Sequence, residues 1–145
     1  MPGREAIMSV PENQRGHGKL EACMKARELA VYTIQISANK KIFAEEHQQT
    51  LTDKIVGAAL DITNLCWNAN NVLVDTAEDM ENRLRLQEEA AIQCNTLLSL
   101  ISIAHKVFHL STKRVRYWSE LTIEVRNRIR AWRTADRKRY SARFK

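Results

Sequence analysis

Few side chains in this sequence can do chemistry, and most of those that can are basic. His105 and His109 stand four residues apart, a spacing that can hold zinc from one face of a helix. No third ligand lies close by. A histidine near a helix C-terminus is favoured there by the helix dipole, so the pair reads as helix-end residues. The three cysteines, Cys23, Cys66 and Cys94, are an odd, widely spaced set, unlike a disulfide framework or a zinc site. Each sits at or beside an apolar helical position, where cysteine serves as a small hydrophobe. The sequence has no glycine-rich phosphate loop, no nucleophile elbow and no Glu-x-x-His pair of the di-iron bundles. It reads as a non-enzyme with no metal and no cofactor.

Arginine is the chemistry that stands out. Residues 113–145 hold 12 Lys and Arg against 3 Asp and Glu, a net of +9, while residues 1–112 hold 11 against 14, a net of −3. Arg126, Arg130, Arg133 and Arg137 step by 4, 3 and 4, which places them on one helix face. Lys138, Arg139 and Arg143 continue the basic run. Glu120 and Glu124 fall outside the row. Guanidinium groups match phosphate oxygens two at a time, and each neutralised phosphate releases counterions. These seven residues are the candidate nucleic-acid contacts, for RNA or cDNA. Three tryptophans could stack on bases, but Trp118 and Trp132 lie on a packing seam and read as core. Trp67 lies off its seam and reads as facing a groove or a neighbouring subunit.

The elements that must carry this charge are helical. A chain of 145 residues with 4 Gly and 2 Pro lacks the turn residues a β-rich fold requires. Residues 1–18 hold both prolines and three of the glycines, and read as a disordered lead-in. A first helix over 19–37 has an apolar stripe of Leu20, Cys23, Met24, Ala30, Val31 and Ile34. A polar connection, "ANKKIFAEEHQQ", follows. A second helix opens on "TLTD", with the Thr50 hydroxyl expected to accept from the Asp53 amide. Its seam is Leu51, Ile55, Ala58, Ile62, Leu65, Ala69 and Val72, a heptad pattern, and Gly57, Ala58 and Ala59 are expected to admit a close neighbour. A third helix opens near Asp75 or Thr76, with a seam of Met80, Leu84, Ala91, Cys94, Leu98, Ile101 and Phe108. A fourth runs from Ser111 or Thr112 to about Arg139 on Val115, Trp118, Thr122, Val125, Ile129 and Trp132. Four such helices on short connections predict an all-α, antiparallel up-down-up-down four-helix bundle over 19–140 with a basic tail at 141–145. No apolar run reaches the length of a membrane span, and residues 1–19 lack a signal-peptide core, so the protein is expected in the cytoplasm.

The segments "KARELAVYTI", "LTDKIVGAALDITN", "RLRLQEEAAIQCNTLL" and "VRNRIRAWRTADRKRY" occur in this order. Together, over residues 20–140, they resemble the four-helix-bundle family of ribosomal-RNA intervening-sequence proteins. That family includes the accessory variability determinant (Avd) proteins of diversity-generating retroelements. Intervening-sequence proteins carry an Asn-Ile-Ala-Glu-Gly element in their second helix; here the aligned run is Asn64-Leu65-Cys66-Trp67-Asn68. That departure and the basic last helix make the retroelement branch the nearer likeness. The resemblance implies a barrel-like homopentamer. It also implies a non-catalytic accessory role: binding a reverse transcriptase and its template RNA in the error-prone cDNA synthesis of mutagenic retrohoming.

Two other roles compete. The bundle could be an interaction module of the intervening-sequence type whose basic face meets an acidic protein. A membrane-surface role for the last helix would need its apolar face free, and the heptad seam occupies that face. If the chain is a homo-oligomer, apolar residues off the seams, Leu29, Tyr32, Leu86, Leu97 and Leu121, are expected at the interface.

Overall fold

The computed structural model describes the backbone of residues 10–144 and the side chains of residues 21–144. Of the segment expected to be disordered, residues 1–9 lie outside the described residues, and the backbone of 10–18 is helical and belongs to α1. Four α-helices carry the fold: α1 (Val10–Ser37), α2 (Asp53–Asn70), α3 (Ala77–Val107) and α4 (Thr112–Arg143). Among the described residues there is no strand. Each helix packs on the next in sequence, and α1 also packs on α4. The contacts between α1 and α4 run in opposite senses along the two helices: Thr33 meets Trp118, Lys25 meets Glu124 and Glu21 meets Arg128. Those between α3 and α4 do the same, through Arg83 with Asp136, Leu84 with Arg133 and Asn95 with Arg126.

Helix starts follow from local hydrogen bonding. Thr76 Oγ1 accepts from the Asp79 amide at 3.0 Å, and the Asp79 carboxylate accepts from the Thr76 amide at 3.1 Å, a reciprocal cap that satisfies orphan donors of the first turn. Ser111 Oγ accepts from the Arg114 amide at 3.1 Å and opens α4. The expected Thr50 cap does not form. A 3₁₀ turn (Glu45–His47) and a π turn (Gln48–Thr52) lead continuously into α2, and the Asp53 amide donates to the Gln48 carbonyl instead. At the other end of α3, His109 takes a left-handed conformation (φ 54°) and the Leu110 amide reaches back to the His105 carbonyl at 3.2 Å. Such a residue ends a helix, so His109 leaves the helical face that His105 occupies.

The seam of α2 is inside, with Ile55, Ala58, Ile62 and Ala69 buried and Leu65 packed against them. The seam of α4 is inside too, with Trp118, Thr122, Val125, Ile129 and Trp132 buried. Trp118 Nε1 donates to Thr33 Oγ1 at 3.0 Å, so the indole is fully buried with its polar atom satisfied. The stripe expected on α1 holds at Cys23 and Ala30 and is corrected at Met24, Val31 and Ile34, while the Leu20 side chain lies outside the described residues. The inward face of α1 is Ala22, Cys23, Ala26, Leu29, Ala30, Thr33 and Ser37, while Met24, Val31 and Ile34 are 51%, 47% and 43% exposed. Small residues let α1 lie close to its neighbours, so the larger apolar side chains are left outside. The expected interface set is corrected as well: Leu29, Leu97 and Leu121 are buried in the core, and Tyr32 and Leu86 pack against it. A core of four helices needs a wider apolar face than a two-position seam. The connection after α1 is not simply polar, because Phe43 is fully buried 4.8 Å from the Phe108 ring and 6.3 Å from Trp118. Gly57 admits no close neighbour within the chain: a Cβ built there meets nothing within 4 Å.

Candidate nucleic-acid interface

The seven candidate cations divide into two kinds. Arg126 and Arg133 belong partly to the bundle. Arg126 Nη1 donates to Asn95 Oδ1 at 2.8 Å, and Arg133 Nε donates to the Leu84 carbonyl at 2.9 Å and lies 3.9 Å from Glu88. Both are half-buried. Arg139 Nη2 donates to Asp136 Oδ1 at 2.9 Å, and its guanidinium lies 4.7 Å from the Tyr140 ring. Arg130, Arg137, Lys138 and Arg143 are exposed and form no ion pair among the described residues. Arg143 lies 5.1 Å from the Phe144 ring.

Neighbouring charge comes from α3, which the sequence of α4 alone does not reveal. Glu81, Glu88 and Glu89 line a groove with Arg133, Arg137 and Ser141. Glu124 is engaged elsewhere, with Arg128 at 3.0 Å and Lys25 at 3.8 Å. Of the seven candidates, those that face water without an ion pair are therefore Arg130, Arg137 and Lys138, followed by Arg143.

What holds this end of α4 in place was not foreseen. Asp136 is 2% exposed and sits four residues past Trp132, the next position of the same seam. Its Oδ2 accepts from Arg83 Nε at 2.7 Å and from Gln87 Nε2 at 2.8 Å. Arg83 is itself buried, with Nη1 3.4 Å and 3.3 Å from the Ala69 and Val72 carbonyls at the end of α2. Its guanidinium lies 5.4 Å from Trp132 and 5.9 Å from Tyr140. One ion pair thus ties the ends of α2, α3 and α4 together. The sequence held a signal: Gln87 fills the missing heptad position between Leu84 and Ala91, and Asp136 extends the α4 seam. A polar residue at each of two facing seams marks a buried pair.

The other reactive groups are not poised. Cys23 Sγ donates to the Cys66 carbonyl at 3.6 Å, and the hydrogen bond with Cys23 and burial both push the Cys66 thiol up. Burial pushes the Cys94 thiol up to about 12 against the opposing charges of Arg126 and Arg130. Thiols held protonated in this way are not nucleophiles. Among the described residues no group of three or more His, Cys, Asp or Glu is placed to hold a metal ion. None of their helices is long and apolar enough to cross a membrane. Trp67 is half-buried, with the Arg27 guanidinium 5.1 Å from its ring. No family model, curated protein or solved structure matches the chain.

Proposed function

We propose that this protein is a non-catalytic nucleic-acid-binding subunit that assists a reverse transcriptase in cDNA synthesis, as its resemblance to the retroelement accessory proteins implies. The observation that carries the nucleic-acid half is the row of exposed cations Arg130, Arg137 and Lys138. They lie on a helix end fixed by the buried Arg83–Asp136 pair. A helix end held in this way presents the three cations from a fixed backbone, so their side chains, and not the chain that carries them, lose freedom on meeting phosphates. The polymerase half rests on the resemblance alone.

The bundle in this reading alternates up and down, which the opposed pairings of α1 with α4 and of α3 with α4 support. It assembles as a ring of copies, five by analogy with the family it resembles. Two surfaces support assembly. One is the exposed apolar set Met24, Val31, Ile34 and Leu60 on α1 and α2. The other is α3, where residues 90–104 include no charged residue although Ile92 and Ile103 are exposed. Repeated sites on one particle bind a long nucleic acid by avidity.

The test is fluorescence anisotropy with a labelled 20-nucleotide RNA across a salt series, wild type beside Arg130→Gln/Arg137→Gln/Lys138→Gln. The reading expects binding that weakens steeply with salt and a folded variant with weaker binding and a shallower slope. Wild-type protein that does not bind RNA or DNA, but captures an acidic protein, would sink it. Co-purification with a reverse transcriptase encoded beside it, and a rise in cDNA yield on adding it, test the other half.

A further inference from the structure

The charge of α4 is not confined to its C-terminal half. Lys113, Arg114 and Arg116 lie at its opposite end, where Lys113 and Arg116 are exposed and Arg114 is half-buried. None of their side chains makes an ion pair or hydrogen bond among the described residues. The ring contacts place other elements at this end. Phe43, from the connection after α1, packs on Phe108 and Trp118, and Tyr32 of α1 meets Tyr117 at 5.0 Å. That packing brings Lys41 and Lys106, both exposed, to the same end of the bundle. The acids there are Glu45, Glu46 and Asp53; Glu46 already lies 3.8 Å from His47, and Asp53 accepts from Gln48 Nε2 at 2.7 Å.

Two further observations point to a ligand. Tyr117 is 53% exposed with its ring edge-on to Tyr32, an aromatic surface among cations. And Arg116, Arg130 and Arg137 are spaced by 14 and 7 residues, whole heptads, so they share one outer row of α4. At 1.5 Å per residue, Arg116 and Arg137 are about 32 Å apart. Glu120, Ile123, Asn127 and Thr134 are the side chains of that row between its cations, so one exposed carboxylate stands in it next to Arg116, and Glu124 flanks it.

We propose that Lys113, Arg114, Arg116 and Tyr117 form a second contact site for single-stranded nucleic acid, and that one strand runs along the outer row of α4 from this site to Arg137. The inference rests on the nucleic-acid reading above. At a stacked spacing of about 3.4 Å per nucleotide, the row spans roughly nine nucleotides. The arginines take phosphates in bidentate contacts, and Tyr117 offers a face on which any base can stack. The combination of a cationic track with an aromatic platform suits strands bound without regard to sequence.

The experiment is the same anisotropy titration with a 20-nucleotide single strand. It compares wild type, Lys113→Gln/Arg114→Gln/Arg116→Gln, the Arg130/Arg137/Lys138 variant, Tyr117→Ala and a control. The control, Arg27→Gln/Lys54→Gln/Arg85→Gln, removes as much charge from exposed positions on α1, α2 and α3. Circular dichroism confirms that each is folded. Each α4 triple variant is expected to flatten the log–log salt slope by about 2, three phosphates at about 0.7 each. Tyr117→Ala is expected to weaken binding roughly five-fold or more with the slope unchanged. The control is expected to leave the slope nearly intact. A Lys113/Arg114/Arg116 variant with the wild-type slope, beside a flattened Arg130/Arg137/Lys138 variant, overturns this proposal and leaves the function above standing. A control that flattens the slope as much as the α4 variants also overturns it. Wild type that does not bind overturns both.

Discussion

Removing Asp136 should do more damage than its place near the end of the chain implies. The Asp136→Ala variant strands a guanidinium whose side chain is only 4% exposed. Breaking one side of a buried ion pair costs about 3–5 kcal/mol, because the remaining charge stays desolvated. Arg83 would keep the Ala69 and Val72 carbonyls and the faces of Trp132 and Tyr140, which places the cost near the lower end, about 3 kcal/mol. For a domain of this size that lowers Tm by roughly 10 °C. Thermal and urea unfolding followed by circular dichroism would measure it. The reverse change, Arg83→Met, leaves Asp136 with Gln87 and Arg139 as donors, so it should cost less. The double variant Arg83→Met/Asp136→Leu removes both charges and should recover most of the loss, as apolar replacement of buried pairs does in other proteins. An Asp136→Ala loss below about 1 kcal/mol would refute the reasoning, since it would mean that Arg83 reaches water or another acceptor at little cost. A double variant no more stable than Asp136→Ala would refute it too, by showing that packing and not charge sets the value.

Three further outcomes follow from single positions. Thr33→Val removes the acceptor of the buried Trp118 indole N–H and should cost about 1–3 kcal/mol; adding Trp118→Phe should recover part of it in a double-mutant cycle of urea midpoints. Gly57→Ala places a methyl where nothing lies within 4 Å and should stabilise α2 by about 0.5–1 kcal/mol; a lowered Tm would show that another surface packs there. Backbone amides of Asp75 and Thr76 donate to the Asp79 carboxylate and hold its pKa below the usual 3.8. A lowered folded-state pKa contributes stability above the unfolded value that is lost as pH falls through the folded one. Asp79→Ala should therefore be less stable than wild type at pH 7, and the two unfolding curves should converge in strong acid.

The parts of this molecule legible in the sequence are those set by one helix at a time. The seams of α2 and α4 were readable because large apolar residues recur there at heptad spacing, and the start of α3 was readable to within a residue because Glu78, Asp79 and Glu81 follow Asp75 and Thr76, although which of the two caps it was not. α1 misled for a physical reason: apart from Leu29 its buried face is made of alanine, cysteine, serine and threonine, while Met24, Val31 and Ile34 are partly open to water. Apolarity ranks the two faces the wrong way round when closeness of approach, not side-chain size, decides which is buried. The basic helix shows the same limit. Its row of arginines was plain, but which of them are available depends on partners from α3: Asn95, Leu84 and Glu88 engage Arg126 and Arg133. Helical spacing places a cation on a face, and only tertiary contact decides whether its donors are already taken. That is why Arg130, Arg137 and Lys138, and not the whole run, carry the argument for a nucleic-acid surface. It is also why the buried Asp136 matters to that surface without touching it, since it fixes the turns of α4 that present them.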